Sequence, residues 1–129
     1  MGDIYESVKG KPDERVGHVD EGGNVFQVVA HAPDRRLGYA QGDGQVFRHL
    51  RMRPDERAGY IDREGNVFWD VNLGRDKRAG FVDRNGEVYV DVPDGEDLRV
   101  GKVTGSRPRR DGAGALLLLL GKRGTNAAG

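Results

Sequence analysis

The sequence predicts an all-β chain of tandem 21-residue β-hairpin units, arranged as a closed or nearly closed, barrel-like antiparallel sheet of about ten strands. Three observations predict it: a glycine returning every 21 residues, a turn motif just after each of the first four, and complementary half units at the two chain ends. The glycines are Gly17, Gly38, Gly59, Gly80 and Gly101. The unit is clearest in Arg57-Ala58-Gly59-Tyr60-Ile61-Asp62-Arg63-Glu64-Gly65-Asn66-Val67-Phe68 and in its next copy, Arg78 to Tyr89.

The turn follows from its corner residues. Asp20, Asp62 and Asp83, with Gln41 in the second unit, open it, and Gly23, Gly44, Gly65 and Gly86 close it. An aspartate accepts backbone N–H bonds at the first corner of a type I turn, and glycine takes positive φ without a Cβ clash at the last. A three-residue loop ending in a glycine bulge then pairs residue 60 with 68 and 61 with 67. Side chains alternate across the sheet, so Tyr60 faces Phe68, Phe81 faces Tyr89, Tyr39 faces Phe47 and His18 faces Phe26 on one side. Ile61 with Val67, Val82 with Val88, Ala40 with Val46 and Val19 with Val25 occupy the other. The strand glycines lie on this aliphatic side, with Trp69 opposite Gly59. The second strand of each unit is expected to continue through Val29, Leu50, Val71 and Val92. Pro12 to Arg15, Pro33 to Arg36, Pro54 to Arg57, Arg75 to Arg78 and Glu96 to Arg99 read as polar turns between units.

The ends carry the question of closure. Gly2-Asp3-Ile4-Tyr5 matches Gly23-Asn24-Val25-Phe26, and Arg99 to Val103 matches the first half of a unit. If these halves pair, the sheet closes and hides its edges; otherwise the units form an open meander or sandwich. Residues 1–105 thus form the repeat domain, 106–114 a Pro, Arg and Gly-rich linker, 115–121 an apolar packing segment ended by Lys122-Arg123-Gly124, and 122–129 a flexible tail. Leu116, Leu117, Leu118, Leu119 and Leu120 favour helix but are too few to hold one alone. They are expected to cover an open end or face of the sheet, or to sit in a subunit interface. With apolar side chains on both sheet faces, a homodimer is the expected solution for whatever stays uncovered.

Composition narrows the function classes. Twenty-one Lys and Arg balance twenty-one Asp and Glu, so no overall field draws the chain to nucleic acid. There is no cysteine, which removes disulfides, thiol catalysis and thiolate metal sites. Met1 to Tyr5 lacks the pattern of a secretory signal, and the longest apolar run, Ala115 to Leu120, is far shorter than the roughly 20 residues of a membrane span. The expectation is a soluble chain, cytoplasmic by default.

Candidate chemistry is sparse. Asp20, Asp62 and Asp83 fall in separate hairpins and read as turn formers rather than as a carboxylate pair. His18, His31 and His49 occupy three different columns, and no nucleophile elbow or phosphate-cradling glycine loop is present. Neither catalytic residues, a metal nor a cofactor is expected. Arg15, Arg36, Arg57, Arg78 and Arg99 repeat two places after Asp13, Asp34, Asp55, Asp76 and Asp97, most simply as solvated ion pairs. The alternative use of this column is a ligand or interaction surface made by Arg36, Arg57 and Arg78 with Tyr39, Tyr60, Phe81 and Trp69, suited to a glycan, a small ligand or a protein partner.

With its Gly-x-Val-Asp-x-x-Gly-x-Val-Tyr-like units, Gly101-Lys102-Val103, Gly112-Ala113-Gly114-Ala115 and the leucine run, the chain resembles a group of uncharacterised bacterial β-hairpin repeat proteins with an Ala/Leu-rich C-terminal segment. The resemblance implies the hairpin array and brings no enzymatic assignment. The unit also resembles choline-binding repeats in length and form, but lacks their paired tryptophans. The leading expectation is a non-enzymatic structural or interaction module, with ligand binding on the aromatic and Arg face as one alternative and an enzyme as another.

Overall fold

Each predicted turn forms as its corner residues dictate. In the computed structural model, which describes residues 2–70 and 76–121, Gly23, Gly44, Gly65 and Gly86 all have φ between 87° and 98° and donate their N–H to the carbonyl of residue 20, 41, 62 or 83. Asp62 Oδ1 accepts from the N–H of Glu64 and Asn66, and Asp83 Oδ1 from Asn85 and Glu87, all at 2.9 Å. Where the second unit has Gln41 instead, Asp43 Oδ1 accepts the Gln45 N–H at 3.1 Å, so the turn keeps its acceptor.

The turns join strands β1 Gly2–Val8, β2 Lys11–Val19, β3 Asn24–Gln27, β4 Arg35–Ala40, β5 Gln45–Arg48, β6 Glu56–Ile61, β7 Asn66–Trp69, β8 Lys77–Val82, β9 Glu87–Val90 and β10 Leu98–Val103. All neighbours are antiparallel, and β1 pairs with both β2 and β10, closing a ten-strand barrel. The half units meet as Ile4 opposite Val103 and Glu6 opposite Gly101, which removes the open-meander alternative and every sheet edge. The hairpin registers are those expected: Tyr60 opposite Phe68, Phe81 opposite Tyr89, Tyr39 opposite Phe47 and His18 opposite Phe26.

Between units the register shifts just before each strand glycine, leaving Val16, Leu37, Ala58, Ala79 and Val100 as the extra residue, and β1 and β2 shift a second time between Glu6 and Val8. A β-bulge bends its strand and raises the local twist. One bulge per unit supplies the curvature that brings β10 back to β1. The apolar residue before each strand glycine is therefore the corner of the barrel wall.

Two strand expectations need correction. The second strands stop at Gln27, Arg48, Trp69 and Val90, and Val29, Leu50 and Val92 lie in the connecting loops; Val71 is outside the described residues. His31, Met52 and Asp94 turn those loops with φ near +60°, which ends strand pairing before the apolar pattern ends. Conversely Pro12 to Arg15, expected as a turn, lies inside β2, because β1 continues alongside it to a bend at Gly10, with Val8 opposite Lys11.

The aliphatic face forms the barrel interior. Ile4, Val19, Val25, Val46, Val67, Val82 and Val88 are fully buried there, around helix α1 Pro108–Ala115 and a π-helical turn Leu116–Leu120 that continues it. Every residue from Asp111 to Gly121 is buried. The segment expected as a linker is thus helical from Pro108, and it lies inside the sheet rather than across its end. Proline suits a first helical position. Gly112 and Gly114, read as linker residues, are instead required by close packing. A Cβ on Gly112 would collide with Val82, and one on Gly114 would stand 2.8 Å from Val25 Cγ2. A helix with no polar face is stable only when enclosed on all sides.

The five leucines fit the five units. A Cβ on Gly59, Gly38, Gly17 or Gly101 would come within 3.0, 2.9, 3.2 and 3.1 Å of Leu117, Leu118, Leu119 and Leu120 respectively. One step along the leucine run is one step around the barrel, and the same step assigns Leu116 to the unit of Gly80. Five units are spaced about 72° apart, whereas an α-helix advances about 100° per residue. The wider i→i+5 winding of a π-helix brings successive leucines nearer the barrel's own rotation. No helix among the described residues is long and apolar enough to cross a membrane.

Candidate functional site

The barrel has two unlike ends. At the turn end the start of α1 is tied to the hairpin turns: Arg109 donates to the carbonyls of Arg63 and Glu64, and Arg110 to those of Asp20 and Glu21. Asp111, 1% exposed, accepts a 2.9 Å bond from Arg110 Nε. Burial pushes its carboxyl above the usual range, against the opposing pull of Arg110. These two arginines of the expected linker are structural clamps.

The outer wall carries the residues proposed from the sequence. His18–Phe26, Tyr39–Phe47 and Tyr60–Phe68 stack with ring centroids 4.7, 5.0 and 5.1 Å apart, and Phe81–Tyr89 is tilted at 6.3 Å. Arg36 and Arg57 lie over the Tyr39 and Tyr60 rings at 5.6 and 5.0 Å. Each arginine of the column also reaches back to the preceding unit, as in Arg36 Nε to Asn24, Arg57 Nε to Gln45 and Arg78 Nε to Asn66. Two aspartates of the column bind the arginine of a neighbouring unit, Asp97 with Arg78 and Asp13 with Arg99 across the closure of the barrel, while Asp34 and Asp55 bind His18 and His49. Hydrogen bonding to Asp97 holds the Arg78 guanidinium above its ordinary pKa, and Arg99 holds the Asp13 carboxyl below its own. Rings and guanidinium groups on this wall are largely engaged with one another.

Trp69 is not part of that wall. It pairs with Gly59 on the inner face and packs partly buried against the core. Leu116 to Leu120 are at most 9% exposed inside the chain's own barrel, so they cover the core and are not available to a subunit interface.

Among the described residues, the wall at the loop end has two neighbouring clefts over the leucine run. One, of about 490 Å³, is lined by Arg35, Arg36, Leu37, Arg48, His49, Arg51 and Leu118. The other, of about 250 Å³, is lined by Glu14, Arg15, Val16, Gln27, Val28 and Ala30, with Glu6 and Leu119. The two are the same place one unit apart: subtracting 21 turns Arg35 into Glu14, Arg48 into Gln27, His49 into Val28 and Arg51 into Ala30. Only the arginine of the repeated column and the apolar floor are shared. The larger cleft has gained three cations and a histidine that the frame does not need.

Arg48 sits deepest. Its Nη2 donates to the Leu117 carbonyl at 3.3 Å, its Nη1 lies 3.6 Å from Glu56, and its Nε is buried with no acceptor. His49 Nδ1 lies 3.2 Å from Asp55. Arg35 and Arg51 are exposed and without a hydrogen bond or ion pair among the described residues. Sequence reading passed over these residues because it sought positions that repeat. The available signal was the reverse one, a column running Glu6, Gln27, Arg48, Trp69, Val90 through acid, amide, cation, aromatic and aliphatic.

Comparison with protein-family models, curated proteins and solved structures finds no match to this chain.

Proposed function

We propose that the chain is a non-enzymatic binding module, a rigid barrel plugged by its own helix that engages ligands through its loop end. The observation that carries this reading is the contrast between columns. Residues facing the axis keep their class from unit to unit, as packing demands, while those around the loop end change class at each step over a fixed apolar floor. A concave, partly apolar site with a few polar groups is the usual form of a small-ligand pocket. Asp111, the one charged side chain fully buried among the described residues, is spent on Arg110 at the opposite end, which favours binding over acid–base chemistry.

Trp69, the only tryptophan, stands in the variable column and reports on it. Screening sugars, nucleotides, carboxylates and short peptides by the Trp69 indole signal, with backbone shifts for mapping, tests the reading. Saturable shifts clustered at residues 27–28, 48–51 and 69 are expected. Shifts confined to the Tyr60–Phe68 and Tyr39–Phe47 pairs would transfer the function to the outer wall, where regularly spaced rings flanked by arginine suit a glycan or a second copy of the chain.

A further inference from the structure

We propose that the cleft between β4 and β5 at the loop end is a site for a phosphate monoester whose organic substituent rests on Leu37 and Leu118. This assignment depends on the loop end being the binding surface. Its first support is uncompensated charge. The Arg35 and Arg51 side chains have no hydrogen bond or ion pair among the described residues. Arg48 has one distant carboxylate and a buried Nε without an acceptor. Its second support is the cleft one unit earlier, where Glu14, Gln27 and Ala30 stand at the positions of Arg35, Arg48 and Arg51. The barrel therefore folds around that geometry without the cations, so their gathering in one unit is not a demand of the fold.

The ligand class follows from the donors. Guanidinium groups match the oxygens of phosphate in paired, charge-assisted hydrogen bonds. Several of them around one cavity suit an anion near −2, which a phosphate monoester carries at neutral pH and a carboxylate does not. A floor of Leu37 and Leu118 in a cavity of about 490 Å³ leaves room for more than inorganic phosphate.

The test uses the full chain, phenyl phosphate, inorganic phosphate and phenylacetate, followed by backbone amide shifts at low ionic strength. The decisive variant carries the residues of the preceding unit, Arg35→Glu, Arg48→Gln and Arg51→Ala; Arg51→Ala alone, at an exposed position, guards against a folding defect. Phenyl phosphate is expected to bind saturably, more tightly than either other probe, and to lose at least about tenfold in affinity in the triple variant, equivalent to about 1.4 kcal/mol. Arg51→Ala is expected to weaken it about threefold. Absence of saturation up to about 10 mM, a Kd ten times weaker than the millimolar range, would overturn the assignment, as would equal affinity for phenylacetate or an unchanged affinity in both variants. If phenyl phosphate fails while other ligands still move Trp69, the phosphate site falls and the loop-end reading stands.

Discussion

The axis of the barrel and its loop end are built on the same 21-residue frame, yet one repeats and the other does not. Around the axis every unit offers a glycine and a small or branched apolar residue, because five units must approach one helix at one distance. At the loop end the same frame holds Glu6, Gln27, Arg48, Trp69 and Val90 in equivalent places. Repetition marks what closure and packing require, and departure from it marks where the sequence was free to serve something else.

If this contrast is right, substitutions at the axis are costly. Leu117→Ala, at a position fully buried against Gly59, is expected to lower the unfolding free energy by about 3 to 5 kcal/mol, the usual range for an enclosed leucine, measured by denaturant titration. Gly112→Ala sharpens the point. Alanine is the better helix former by about 1 kcal/mol, so an exposed helix would gain. Here the added methyl meets Val82, and a net loss of about 1 to 3 kcal/mol is expected from overpacking.

A smaller effect comes from the turn end. Burial raises the folded-state pKa of Asp111 above its ordinary 3.8, so the folded chain holds this proton more tightly than the unfolded one. Asp111 therefore costs stability increasingly as the pH climbs from about 3.8 through the raised value, and the cost disappears in acid. Asp111→Asn is expected to gain stability relative to the parent over that rise. The paired difference between their denaturation curves at successive pH values isolates this group from Asp13, whose carboxyl Arg99 lowers and whose contribution runs the opposite way. The smallest effect belongs to the loop end: exchanging Arg35, Arg48 and Arg51 for Glu, Gln and Ala is expected to change stability by less than about 1 kcal/mol. A larger loss would make those arginines structural and dissolve the contrast.

Much of this architecture was legible from the residues. Asp62 and Gly65 set a turn, the turn set the pairing of Tyr60 with Phe68, and matching Gly2–Tyr5 to Gly23–Phe26 offered the closing pair β1 and β10 beside an open meander, between which the structure decides for closure. The central helix was not legible, because Gly112 and Gly114 carry a flexible-linker signature locally and their need for closeness exists only once Val82 and Val25 surround them. Nor did the bulges announce themselves, since Val16, Leu37 and Ala58 read as ordinary members of a strand. Among the proposed site residues, Arg36, Arg57 and Arg78 lie on the expected face with Tyr39, Tyr60 and Phe81, but their bonds to the preceding unit depend on closure distances that no single unit contains. The cluster of Arg35, Arg48 and Arg51 was visible only as a break in periodicity.

Amide hydrogen exchange of Leu116 to Leu120 tests most directly whether the helix is the core of the barrel. These amides should exchange only through global unfolding, with the same opening free energy as the slowest strand amides such as Val67 and Val82. Exchange of the leucines several kcal/mol more easily than the strands, with the barrel intact, would show a plug that leaves without the wall and would contradict the account.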